Sequence, residues 1–196
     1  MARGGLKVIQ GVSFEVKAGE ALILRGPNGI GKTTLLRTLA GLQLPLEGMI
    51  EMPEGEGAYA SHADGVKEAL TVAENLKFWS EIYGTDLPDW VFDSFDIATL
   101  RDRLAGTLSA GQKRRLGLAR LAIIDRKILF LDEPTVSLDG FSVRLFTDFI
   151  RDRHLARDGI AVIATHIGLE LDATTIDLTA NKAVSDDDGN ADEAFL

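Results

Sequence analysis

The sequence predicts an α/β fold: a mostly parallel sheet flanked by helices, with a small helical insertion. Three observations carry this. Short, continuous apolar runs at 21–24, 128–131 and 160–164 have the form of strands buried on both faces. Between them lie stretches with apolar residues at helical spacing, and strands alternating with helices imply a parallel sheet. The interval 66–104 is helical throughout and reads as a subdomain inserted into a core made of 1–65 and 105–184.

The elements follow in order. Val12, Phe14 and Val16 alternate with Ser13, Glu15 and Lys17, which predicts a strand with one buried face, turned at Gly19. The run Ala21–Leu24 is a fully buried strand. Leu35, Leu36, Leu39 and Leu42 set a helix over 33–42, with Gly41 near its end. Residues 53–65, rich in Gly and Glu, read as loop. Thr71-x-x-Glu74 is a capping-box pattern that opens a helix to about Tyr83, stopped by Gly84. A second helical stretch covers 86–104 after Pro88. Ser109 caps a helix from Ala110 to about Ile124. A strand at 127–131, a helix at 140–157 and a strand at 160–164 complete the pattern. Residues 185–196 are acidic and aperiodic, and are expected to form a solvated, disordered tail.

Composition narrows the function classes. The 196 residues, 45% hydrophobic and 26% charged, suffice for one well-buried domain and are too few for two full ones. The chain has no Cys, which excludes Cys-ligated zinc, iron–sulfur clusters and thioether-attached haem, and fits a reducing compartment. A net charge of −9 argues against a protein that tracks phosphate backbones, so no nucleic-acid partner is expected. No stretch approaches the roughly 18 apolar residues of a membrane span, and residues 1–5 carry no signal-peptide core. The expectation is a soluble chain that serves a membrane, if at all, through partners.

The strongest motif is Gly26-Pro27-Asn28-Gly29-Ile30-Gly31-Lys32-Thr33, a full G-x-x-x-x-G-K-[ST] loop followed by Thr34. It lies after a buried strand and before a helix. Glycines let successive backbone N–H groups converge on one anion, and the helix N-terminus adds its dipole. Lys32 is expected on the β- and γ-phosphates of a nucleotide and the Thr33 hydroxyl on Mg²⁺. A chance Gly-rich turn is the bland alternative, against which the strand–loop–helix context weighs. Asp132, emerging from the apolar run Ile128–Leu131, is the second expected Mg²⁺ ligand. Glu133 follows it, placed to polarise a water against the γ-phosphate. The alternative is that both merely end a strand before the Pro134 turn. His166 follows the strand at 160–164 and falls on the same C-terminal sheet edge, where open α/β folds place ligands.

Leu108-Ser109-Ala110-Gly111-Gln112 is also shaped for an anion at a helix N-terminus. It is an ordinary capped helix, a second anion site, or half of a site assembled from two chains.

The ordered set of glycine loop, Leu108–Gln112, Asp132-Glu133-Pro134-Thr135, Ser137-Leu138-Asp139 and His166 resembles the ATP-binding cassette (ABC) ATPases over nearly the whole chain. The resemblance implies a P-loop NTPase core that binds ATP and Mg²⁺. It implies a head-to-tail dimer in which Ser109, Gly111 and Gln112 of one copy close on the nucleotide held by Lys32 of the other. It further implies Asp139 at the dimer interface and His166 sensing the γ-phosphate. Leu70–Trp79, Leu108–Leu121, Leu131–Asp139, Gly159–His166 and the short chain look like one subfamily, the ATPase subunit of the bacterial cytochrome c maturation haem exporter. That implies ATP hydrolysis coupled to haem export, membrane permease subunits as partners, and a peripheral place on the cytoplasmic face of the inner membrane. Arg114 and Arg115 read structurally as a solvated helix face. The competing readings are another exporter's ATPase, a soluble non-transport cassette ATPase, a nonhydrolysing binding module, and a GTPase. In the last, Val184 stands where the acid of the Asn181-Lys182 motif would be.

Two departures from the family pattern stand out. The family has a Gln before the helical subdomain; here that position falls at His62 or Ala63, and His62 or Asp64 is expected to substitute. The family also has a first strand and an adenine-stacking aromatic before Arg3-Gly4-Gly5. No aromatic precedes Phe14 here, so a truncated or misplaced start is expected.

Overall fold

The computed structural model describes residues 2–3, 6–61 and 65–183. His62, Ala63 and Asp64, expected to replace the missing Gln, lie outside the described residues, as does the acidic segment 185–196.

Strands β1 (Ala2–Arg3) and β2 (Leu6–Lys7) pair antiparallel. The main sheet holds β3 (Ala21–Arg25), β4 (Gly57–Ala60), β5 (Ile128–Asp132), β6 (Ile160–Ala164) and β7 (Thr174–Asp177). Their order is β4-β5-β6-β3-β7, and every pairing is parallel. Side chains alternate between the two faces along each strand. Leu22, Leu24, Ile128, Phe130, Val162 and Ala164 therefore join one apolar cluster, with Leu35 and Leu36 of helix α1 (Lys32–Leu39). Ala21, Leu129, Leu131, Ala161 and Ile163 join the other. Because both faces are covered, β3, β5 and β6 carry unbroken apolar runs.

The second face is covered by α2 (Val72–Tyr83), α3 (Trp90–Ser94), α4 (Ala110–Ala119) and α5 (Gly140–Phe149). Val72, Leu76, Phe92, Phe95 and Ile97 from 66–104 belong to the same cluster as Leu129 and Ile163, so this interval shares the sheet's core. Its two ends are laced together: the Ala105 amide donates to Leu70 O and the Val72 amide to Arg103 O. Thr71 makes the expected capping box with Glu74. These bonds hold the Glu74 carboxyl below its ordinary pKa.

Several expectations are corrected. Residues 12–17 alternate as predicted, with Val12, Phe14 and Val16 turned toward the core, but form no strand because no partner ladder runs beside them among the described residues. The loop expected at 53–65 contains β4, which pairs with β5. β7 went unpredicted because it is an edge strand with little burial and no apolar run. The helical stretch at 86–104 shrinks to α3 and a 3₁₀ turn at Ala98–Leu100. The helix at 110–124 ends in a 3₁₀ turn, Arg120–Ala122, and that at 140–157 continues past Phe149 as π and 3₁₀ turns.

Candidate nucleotide site

The glycine loop spans the step from β3 to α1. Ile30 is buried in the apolar cluster and anchors it, while Pro27, Asn28 and Gly29 stay exposed. Gly31 caps α1 at φ 113, and a Cβ there would lie 2.6 Å from Ile9 Cδ1, so both conformation and space demand glycine. The segment carrying Ile9 is tied down across the molecule: Gln10 N donates to Asn181 O, and the Asn181 side chain donates to Gln10 O and Gly11 O. Asn181 is thus committed to a structural tie, which removes the guanine-reading role weighed for it; Val184 lies outside the described residues.

Lys32 is buried, and its Nζ donates to Gly26 O at 2.8 Å and Pro27 O at 3.3 Å. The ammonium is curled over its own loop. His166 Nε2 lies 3.1 Å from Lys32 Nζ, 2.7 Å from Asn28 Oδ1 and 3.2 Å from Glu133 Oε1. One ring nitrogen has one role at a time. Unprotonated, it accepts from Lys32; protonated, it donates to Asn28 or attracts Glu133. The Glu133 contact has the distance of an ion pair but no hydrogen-bond alignment, which leaves Oε1 buried and unpartnered.

Asp132 ends β5 and is buried. Its Oδ2 accepts from Tyr59 Oη of β4 at 3.0 Å. Burial, then the charge and hydrogen bond of Asp132, push the Tyr59 phenol up to about 12, so it stays a donor. Glu133 has left-handed backbone at φ 50. Its amide donates to Ala164 O at 2.9 Å, and its carbonyl accepts from Arg114 Nη2 at 3.1 Å. Arg114 also donates twice to Pro134 O. The solvated face expected for Arg114 and Arg115 is corrected: Arg114 is buried under the Glu133-Pro134 backbone, and Arg115 pairs with Asp96.

A cavity of about 260 Å³ is lined by Val8, Asn28, Gly29, Gly31, Lys32, Thr33, Thr34, Asp132 and Glu133. One ammonium, two carboxylates and an exposed threonine hydroxyl at a helix N-terminus can take an anion and a cation together. The donor set fits Mg²⁺ shared with phosphates: one carboxylate and one hydroxyl, the rest left to phosphate and water oxygens. Among the described residues no group of three metal-ligating side chains forms a cage. A larger cleft of about 420 Å³ opens at the opposite strand ends, around Glu20, Arg151 and Thr174. Its guanidinium is committed to Asp148 and Asp152.

Ser109, Gly111, Gln112 and Asp139 do not line the cavity. Ser109 and Gln112 cap α4 reciprocally. Asp139 caps α5 through Ser142 N at 2.7 Å, a bond that lowers its carboxyl pKa. Tyr59, Arg25 and Arg114 were not expected to act at the site. Each reaches its partner across many residues and leaves no local motif.

The ABC transporter family pattern matches residues 9–136. The cytochrome c biogenesis ATP-binding export protein CcmA of Rhodobacter capsulatus is 55% identical over all of this chain and 91% of its own length. The protein of the same name in Cereibacter sphaeroides is 58% identical over 93% of this chain and 87% of its own. An ABC transporter ATP-binding protein from Pyrococcus furiosus has a similar solved structure. It has a TM-score of 0.81 and 25% identity, over 91% of this chain and 94% of that one. Among the described residues no helix is long and apolar enough to cross a membrane.

Proposed function

The chain belongs to the ABC transporter family, and from that premise we propose that it hydrolyses ATP for a membrane complex that exports haem during c-type cytochrome biogenesis. The observation that carries the chemistry is the convergence of Lys32, Asp132, Glu133 and His166 on one sheet edge. The high identity to export proteins of cytochrome c biogenesis carries the transport assignment.

Each residue has a defined task. Lys32 exchanges its carbonyl partners, Gly26 O and Pro27 O, for the β- and γ-phosphate oxygens of ATP. Backbone amides of Gly29 and of Gly31 to Thr34 add donors to the same anion. Thr33 and Asp132 would hold Mg²⁺, which would neutralise phosphate charge. Glu133 Oε1, buried and unpartnered, accepts a hydrogen bond from the attacking water and orients it in line. His166 moves from Lys32 and Asn28 onto the γ-phosphate.

Ser109, Gly111 and Gln112 lie outside the cavity of their own chain, which supports a second copy as their target. In that dimer the capped N-terminus of α4 faces the γ-phosphate of the partner copy, and Asp139 borders the interface. The partners beyond the dimer are membrane permease subunits, with this chain on the cytoplasmic side of the bacterial inner membrane. Mass spectrometry of what co-purifies from mildly solubilised native membranes tests the assignment. Cytochrome c maturation membrane subunits are expected. A different permease would discard the haem reading.

A further inference from the structure

Arg25 is the last residue of β3, immediately before Gly26, and is half-buried. The ladder between β3 and β6 ends at the pair Leu24 and Ala164. One step further, the side chain of Arg25 takes over. Its Nη1 donates to Thr165 O at 2.8 Å and its Nη2 to Ile167 O at 2.6 Å. These carbonyls flank His166 on either side. The planar guanidinium fork suits such a two-point grip, which a single ammonium cannot reproduce.

The imidazole needs this support because it is not packed in place: the His166 side chain is 46% exposed. Its backbone is fixed instead. Thr165 is buried, its hydroxyl lies 3.2 Å from Thr135 Oγ1, and the Ile167 amide donates to the same hydroxyl at 3.3 Å. Arg25 ties this turn to the strand that feeds the glycine loop. We propose that Arg25 is a positioning residue for His166: by gripping the carbonyls of Thr165 and Ile167 it sets where the imidazole meets Lys32, Asn28 and Glu133. A base of the loop that shifts on nucleotide binding thereby carries the His166 turn with it. The proposal rests on the role given to His166 above.

The full chain has three histidines, so a histidine-labelled NMR spectrum is simple, and His166→Ala identifies the His166 signals. Arg25→Met is expected to move the His166 ring resonances and leave those of His154 in place. It lowers turnover by about tenfold, with ATP affinity held within about threefold. Arg25→Lys recovers only part of the turnover, because it restores charge without the fork. In the His166→Ala background, Arg25→Met causes no further loss. Native turnover in His166→Ala overturns the role of His166 itself. With that turnover lost, unmoved His166 resonances in Arg25→Met, or an equal loss in both backgrounds, overturn the role of Arg25 alone.

Discussion

Glu133 shows how single residues build this site. Left-handed backbone is uncommon for a glutamate, and here bonds at both ends hold it: Ala164 O takes its amide and Arg114 gives to its carbonyl. The carboxylate is thereby turned from the line of β5 into the cavity beside Asp132. Tyr59 does the same for Asp132 by occupying Oδ2. Tyr59→Phe keeps the ring and removes only the donor, leaving a buried carboxylate oxygen unpaired. Loss of a hydrogen bond to a charged group predicts about 1.5–3 kcal/mol of destabilisation, read from the urea midpoint. An unchanged midpoint would show that water replaces the phenol. The loop Gly26–Thr33, Asp132, Glu133 and His166 were legible because their chemistry sits in contiguous motifs. Tyr59, Arg25 and Arg114 were not, because their bonds span 73, 140 and 20 residues. Such distances carry no period or spacing.

At the scale of elements, burial on both faces explains which strands were legible. β3, β5 and β6 lie inside the sheet and are apolar up to the charged residues, Arg25 and Asp132, that end β3 and β5. β4 and β7 are edges and are free to read as Gly-Ala-Tyr-Ala and Thr-Thr-Ile-Asp. The helical stretch 140–157 reaches its expected end, but not as regular α-helix throughout. Its period persists, but Ile150–His154 widens into a π turn that swings His154 back toward β6. There His154 Nε2 donates to Ile160 O at 3.0 Å, and a Cβ on Gly159 would approach that nitrogen to 2.7 Å. Burial first, and the nearby Lys127 charge, lower the His154 pKa below 6.5, while its bond to Ile160 O opposes them. The unfolded chain therefore takes up a proton at higher pH than the folded one. The resulting stability is present above about 6.5 and lost as pH falls through the folded value. Replacing His154 with Gln should flatten the fall in the urea midpoint over that window. An equally steep fall in the variant would assign the pH dependence to other groups.

Across the whole molecule, one sheet edge gathers Lys32, Thr33, Asp132 and Glu133 around the cavity, while the loop before α4 stays outside that gathering. Gly111 separates the two contributions. A Cβ there meets nothing within 4 Å apart from its chain neighbours and the backbone of its own helix. Gly111→Asp should therefore keep stability within about 1 kcal/mol and leave ATP affinity unchanged. In an ATP-bridged dimer the new carboxylate would confront the partner's γ-phosphate, so turnover should fall at least about tenfold. Native turnover in this variant would remove the second copy from the mechanism. The described part of 66–104 is laced at its ends and shares the core with the sheet.

The most direct test compares ATP binding and ATP turnover in Glu133→Gln. The amide keeps the shape of the side chain and its place between Arg114 and Ala164, and loses only the base. ATP affinity should stay within about threefold of native while turnover falls by about 10²–10⁴. Retained turnover would contradict the assignment of Glu133 as the residue that orients the attacking water.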